Sequence, residues 1–215
     1  MTYLEAINSV LVRLRESVVT TPTQTSYSSL IGQLINDTKR GVEDAYAWNA
    51  LGQLITVTTS AGTSNYTVTG SGSRFKVLEV MNTNNRYTMN NAPAAWITQQ
   101  HYISNPTNGQ PVYYAFSGVD ASGDTKVDVY PIPDGTYTLI FNLVIPQAEL
   151  SSGSTVILAP SQPIVLGAYA LALAERGEDQ GLAGSEAMQI ARNAISDAIA
   201  IESSRYIENE CWSAA

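Results

Sequence analysis

The chain has 215 residues, 44% hydrophobic and only 14% charged, with 11 Lys and Arg against 19 Asp and Glu and a net charge of −8. That length buries roughly 70% of the surface an unfolded chain exposes, and the composition is too apolar for charge-driven disorder. Binding nucleic acid by neutralising phosphates is disfavoured by the acidic balance. Soluble enzymes carry nearer a quarter of charged residues, so much of this surface is expected to be covered by something else.

Residues 1–50 have helical period. Leu4, Ile7, Val10/Leu11 and Leu14 form one apolar stripe. Thr20-Thr21-Pro22 interrupts it, because the residue before a proline avoids the α region. A second stripe follows at Tyr27, Leu30/Ile31, Leu34/Ile35, Thr38, Val42, Ala45/Tyr46 and Asn49, with Thr25 or Ser26 as its N-cap.

Residues 51–159 change to β character. Leu54–Thr59 and Asn65–Thr69 are β-branched runs around Ala61-Gly62, a hairpin signal, and Phe75–Met81 and Arg86–Met89 flank Asn84-Asn85 in the same way. Pro111–Phe116, Lys126–Tyr130 and Tyr137–Ile145 are three further strands, with Asp120–Asp124 and Pro133-Asp134-Gly135 as turns. A short helix is expected over Ala92–Gln100.

Residues 160–215 return to helix. Ser161 is the expected N-cap, Pro163 sits in the first turn, and Gly177 ends the helix. Ile164–Ala174 is apolar nearly all round, which predicts the central helix of a bundle. The last helix is expected from Ser185 to Tyr206, with an inward stripe at Ala187, Ala191, Ala194/Ile195, Ala198 and Ile201/Glu202. Of the net −8, −5 falls in this block. The fold class is therefore α+β: a four-helix bundle from residues 1–50 and 160–215, with an antiparallel β domain inserted at 51–159.

Candidate chemistry is sparse. His101 is the only histidine and Cys211 the only cysteine, so a disulfide framework or a zinc site of the usual spacings is not available. No P-loop is present, and Gly70-Ser71-Gly72-Ser73 lacks the strand-to-helix context of a phosphate cradle. Asp120, Asp124 and Asp128 are spaced by four, without the alternation and final Glu of a calcium loop, and read as turn chemistry. Glu43 and Asp44 adjoin on a helix and point different ways. No catalytic, metal or cofactor-binding residue is nominated. The start lacks a basic segment and cleavage site, and no apolar run reaches the roughly 20 residues of a bilayer span, so a soluble protein made in a reducing compartment is expected.

The order of elements carries a resemblance. Ile35-Asn36-Asp37-Thr38-Lys39-Arg40-Gly41-Val42-Glu43 leading to Trp48, Gly109–Tyr114 with Gly118, Val129–Leu139, and Pro160–Gly177 followed by a helix with Asp197 and a late Trp212 together resemble the head–tail adaptor (connector) proteins of tailed bacteriophages. That family includes the tail tubular A proteins of short-tailed phages. The resemblance covers most of the chain. It implies a non-enzymatic virion protein made in the host bacterial cytoplasm. It also implies a ring, usually of twelve subunits, docked under the portal protein, touching nozzle or other tail proteins and passing DNA through its lumen. It places portal docking at Tyr206, Ile207 and Trp212, although Trp212 packing on its own bundle is an equal alternative.

Two other readings stand beside it. One is another virion tail-completion protein. The other is a carbohydrate-binding β module, suggested by Trp96, Tyr102, Tyr113 and Tyr114, since aromatic faces stack on sugars.

Overall fold

The computed structural model describes residues 1–103, 105–177 and 183–205. The chain divides into two compact units, Met1–Leu51 with Gln147–Ala215, and Gly52–Pro146.

In the first unit, α1 spans Tyr3–Arg13 and α2 Ser26–Ala45, while α4 spans Ser161–Arg176 and α5 Ala183–Ser203. Both N-terminal helices begin with a capping box. Thr2 and Glu5 exchange bonds at α1, and Thr25 and Ser28 do so at α2, which satisfies amide groups that a helix start leaves unpaired. The apolar stripes meet as Ile7, Val10, Ile31, Ile35, Val42, Ile164 and Ala168, all fully buried. As its all-round hydrophobicity predicts, α4 is central and packs on α1, α2 and α5. Gly32 lets α2 approach the Tyr3 ring of α1, and Gly167 lets α4 approach the Thr38 methyl of α2. At the end of α4, Gly177 takes the left-handed conformation (φ 65°) favoured by glycine. Arg176 there donates to the Tyr27 hydroxyl (2.6 Å) and to Glu16 (2.5 Å), tying the helix to the ends of its neighbours.

Two details differ from expectation. The α4 N-cap is Pro160, which has no side chain to bond the helix; Ser161 is the first helical residue and makes no cap. On α5, Glu202 turns inward at 8% exposure while Ile201 turns outward at 61%. The buried carboxylate is accounted for by its bond from the Asn49 amide (2.9 Å), at the start of the 3-10 turn Asn49–Leu51.

The segment 147–159 lies beyond the β strands and groups with the helices rather than with the β block. Backbone bonds attach it to the start of α1: Tyr3 N–H to Thr155 (2.8 Å), Leu4 N–H to Gly153 (3.1 Å) and Ile157 N–H to the Met1 carbonyl (3.0 Å).

The second unit holds two four-stranded sheets. One has the order β1 (Gly52–Thr58), β8 (Thr138–Val144), β3 (Lys76–Asn82), β4 (Tyr87–Thr88). The other runs β2 (Asn65–Thr67), β7 (Thr125–Tyr130), β6 (Tyr113–Val119), β5 (Asn90–Asn91). Val57, Val80, Leu139, Phe141 and Leu143 from the first sheet share a buried core with Tyr114, Val127 and Val129 from the second, so the unit is a sandwich. The pairing is antiparallel except for β5 with β6, which is parallel. The expected helix is α3, Ala94–Tyr102, and β3 with β4 forms the expected hairpin around Asn84-Asn85.

The first expected hairpin does not form. β1 pairs with β8 and β2 with β7, in different sheets. The turn residues between them bond elsewhere: Gly62 N–H reaches the Pro133 carbonyl (2.8 Å) and Thr59 N–H the Tyr137 carbonyl (2.9 Å). The chain thereby crosses from one sheet to the other instead of folding back.

Candidate interaction surfaces

The α2 segment singled out by the sequence is a latch. The Asn36 carboxamide accepts from Leu150 N–H (2.9 Å) and donates to Leu150 O (3.1 Å). One turn on, the Lys39 ammonium donates to the Gln147 carbonyl (2.6 Å) and pairs with Glu43 (3.1 Å), while Glu43 accepts Gln147 N–H (3.1 Å). Both charged side chains are almost fully buried, at 4% and 1% exposure. A buried charge must be paired and hydrogen-bonded to be tolerated, and this pair meets both conditions through the backbone of one residue of the returning chain, Gln147. Arg40 pairs with Glu149 at 3.1 Å on the exposed side, a contact of little energetic weight. Trp48, 1% exposed, donates its indole N–H to the Val42 carbonyl (2.7 Å) and stacks edge-on with Tyr46. These residues hold backbone in place. The sequence showed the motif but not the buried pair; the signal available was the i,i+4 spacing of Lys39 and Glu43.

A groove of ≈ 520 Å³ lies near the ends of α4 and α5, bordered by Trp48, Leu158, Pro160, Pro163, Ala198 and Ile201. Its polar margin includes Asp197 and Glu202, and Arg205 bonds Glu202 at 3.1 Å. The chain continues from this margin to Tyr206, Ile207 and Trp212, the portal-docking candidates, which lie outside the described residues, as does Cys211.

In the β unit the aromatics are spent on one another. Trp96 meets the edges of Tyr113 (5.1 Å) and Tyr130 (5.5 Å) over Ala92, Ile97 and Ala115. Tyr114 is buried between Phe116 and Phe141. A sugar platform needs an open ring face, and of the four residues suggested for one only Tyr102 is exposed, at 84%. His101 lies 5.8 Å from Tyr130, packed in that same cluster.

The Asp120 loop is a turn. Its carboxylate accepts from Ser122 N–H (2.8 Å) and Asp124 N–H (3.0 Å). Backbone N–H groups of Gly70 and Gly72 hold the Asp124 carboxyl below the usual carboxylate range, because hydrogen bonds to the charged form favour it. The third acid, Asp128, accepts from Asn65 (2.6 Å). Among the described residues, no group of three or more His, Cys, Asp or Glu is placed to hold a metal ion, and no helix is long and apolar enough to cross a membrane.

The polar side chains of α2 secure backbone, and the aromatics of the sandwich pack on one another. The family model described as SU10 adaptor protein matches residues 1–209, and the chain belongs to that family of phage head–tail adaptors. No curated protein matches it. Membership implies a structural, non-enzymatic role.

Proposed function

We propose that the protein forms a homo-oligomeric ring, a dodecamer by resemblance, that docks beneath the portal protein at the head–tail junction of the virion. It joins the capsid to the nozzle or other tail proteins and lets DNA pass through its lumen without sequence-specific binding. The observation that carries this reading is the adaptor-family match over residues 1–209. The sparse charge supports it: residues 51–159 carry only 4 basic and 6 acidic side chains, and buried interface centres are depleted of charge. An acidic excess in residues 160–215 suits a lumen that offers DNA no phosphate neutralisation; a ring with a basic lumen face would contradict that assignment.

Portal docking is assigned to Tyr206, Ile207 and Trp212, because aromatic and aliphatic anchors dominate binding energy at interfaces. Replacing all three with Ala and repeating a pull-down with portal protein tests the assignment. Loss of capture is expected, and unchanged capture would overturn it.

A further inference from the structure

Two exposed aliphatic faces lie on helices that both pack on α4. On α5, Glu186, Ile190, Asn193, Asp197 and Ile201 recur at spacings of four, three, four and four, which aligns them on one stripe. Ile190 is 49% and Ile201 61% exposed. The inward stripe of the same helix carries Ala191 and Glu202, and Arg192 lies off the outer one.

On α1, Val12 is 60% exposed and helps line a shallow hollow with Glu5, Asn8, Ser9 and Arg13. Asn8 bonds both backbone groups of Val19 (2.9 Å each), which holds the segment bearing exposed Val18 against this helix. Arg13 donates within its own helix to Ser9 O (2.9 Å), and Arg15 follows it, exposed, just past the helix end. Among the described residues, no salt bridge engages Arg13, Arg15, Glu186 or Asp197.

We propose that these faces are the two halves of one contact between copies of this chain, with α1 of one copy lying antiparallel on the outer stripe of α5 in the next. The occupant is a second copy because the charges complement: Arg13 and Arg15 end the α1 face, and Asp197 stands one turn from exposed Ile201 on α5. The spacing agrees as well. Asp197 and Ile201 lie four residues apart within α5, and Ser9 and Arg13 four apart within α1, each about 6 Å along its helix. One antiparallel register therefore sets Arg13 beside Asp197, with Ile201 over Ser9. The two faces are different surfaces, so the contact is heterologous and propagates as a ring requires. The inference rests on the ring reading above and specifies how its subunits meet. It also removes Asp197 from the acids available to a lumen.

The test uses the full chain, alone and with portal protein, and reads assembly mass by analytical ultracentrifugation across a concentration series. Arg13→Glu and Asp197→Arg are each expected to raise the concentration for half-assembly by about tenfold or more, since like charges face each other across the contact. The double variant R13E/D197R is expected to restore assembly. Wild-type assembly that is indifferent to both single reversals, or a double variant as weak as either single one, overturns this interface while leaving the ring intact. A wild-type chain that assembles under neither condition overturns the ring and, with it, the interface.

Discussion

Lys39 and Glu43 form a buried ion pair one helical turn apart, and both bond the backbone of the same distant residue, Gln147. The pair is the point where the chain is fastened to α2 on its return from the β strands. Its energetics follow from burial. The two charges tolerate each other's environment only together, because removing one leaves the other desolvated and unpaired.

Lys39→Met is therefore expected to cost about 3–5 kcal/mol, and Glu43→Leu a similar amount. The double variant K39M/E43L should cost much less than the sum, since no lone charge remains. Urea unfolding of the three variants checks this. Additive losses would show that the pair is not coupled.

The approach of α4 to α2 gives a second prediction. A methyl group at Gly167 would collide with the Thr38 methyl, and overpacking a filled core costs about 1–3 kcal/mol. Gly167→Ala should be destabilising by that amount. Adding Thr38→Ser removes the opposing methyl but keeps the hydroxyl that donates to Leu34 O (2.8 Å), so T38S should recover part of the loss. Thermal unfolding of both variants decides it.

At the buried Glu202, loss of the carboxylate strands the Asn49 amide that donates to it at 2.9 Å. Glu202→Ala should cost about 1.5–3 kcal/mol, the usual worth of a hydrogen bond to a charged group. Glu202→Gln keeps an acceptor oxygen and should cost less. Equal losses from the two would show that the hydrogen bond is not the cause.

Acid sensitivity has a defined sign. The Asp124 carboxyl is held low by backbone bonds from Gly70 and Gly72, and that of Glu5 by the Thr2 backbone N–H. A carboxyl whose pKa is lowered on folding stabilises the fold above its unfolded value, about 4, and that stability disappears as pH falls through the folded value. Wild-type stability should thus decline on acidification below about pH 4. Asp124→Asn should start less stable at neutral pH and show a shallower decline. A slope unchanged by D124N would contradict the assignment.

Much of this architecture was legible where one residue pattern carries one consequence. The period of Leu4 through Leu14 defined α1, the all-apolar Ile164–Ala174 announced a central helix, and Gly177 marked its end. The β3–β4 hairpin was legible because its turn is local. Pairing between distant strands was not: Leu54–Thr59 reads as a strand whichever partner it takes, and the bonds of Gly62 and Thr59 to residues 133 and 137 decided the outcome. Stripe edges were ambiguous for a similar reason. Ile201 and Glu202 straddle the inward face of α5, and hydropathy favours burying the isoleucine, yet the Asn49 amide draws the carboxylate in. The surfaces were least legible, because Lys39–Glu43 and an exposed i,i+4 pair look the same until the returning chain covers one of them.

The most direct test of the proposed role is co-purification of the full chain with portal protein, followed by electron microscopy of the complex. Closed rings of this chain seated on the portal are expected. A chain that neither binds portal protein nor closes into a ring in its presence would contradict that role.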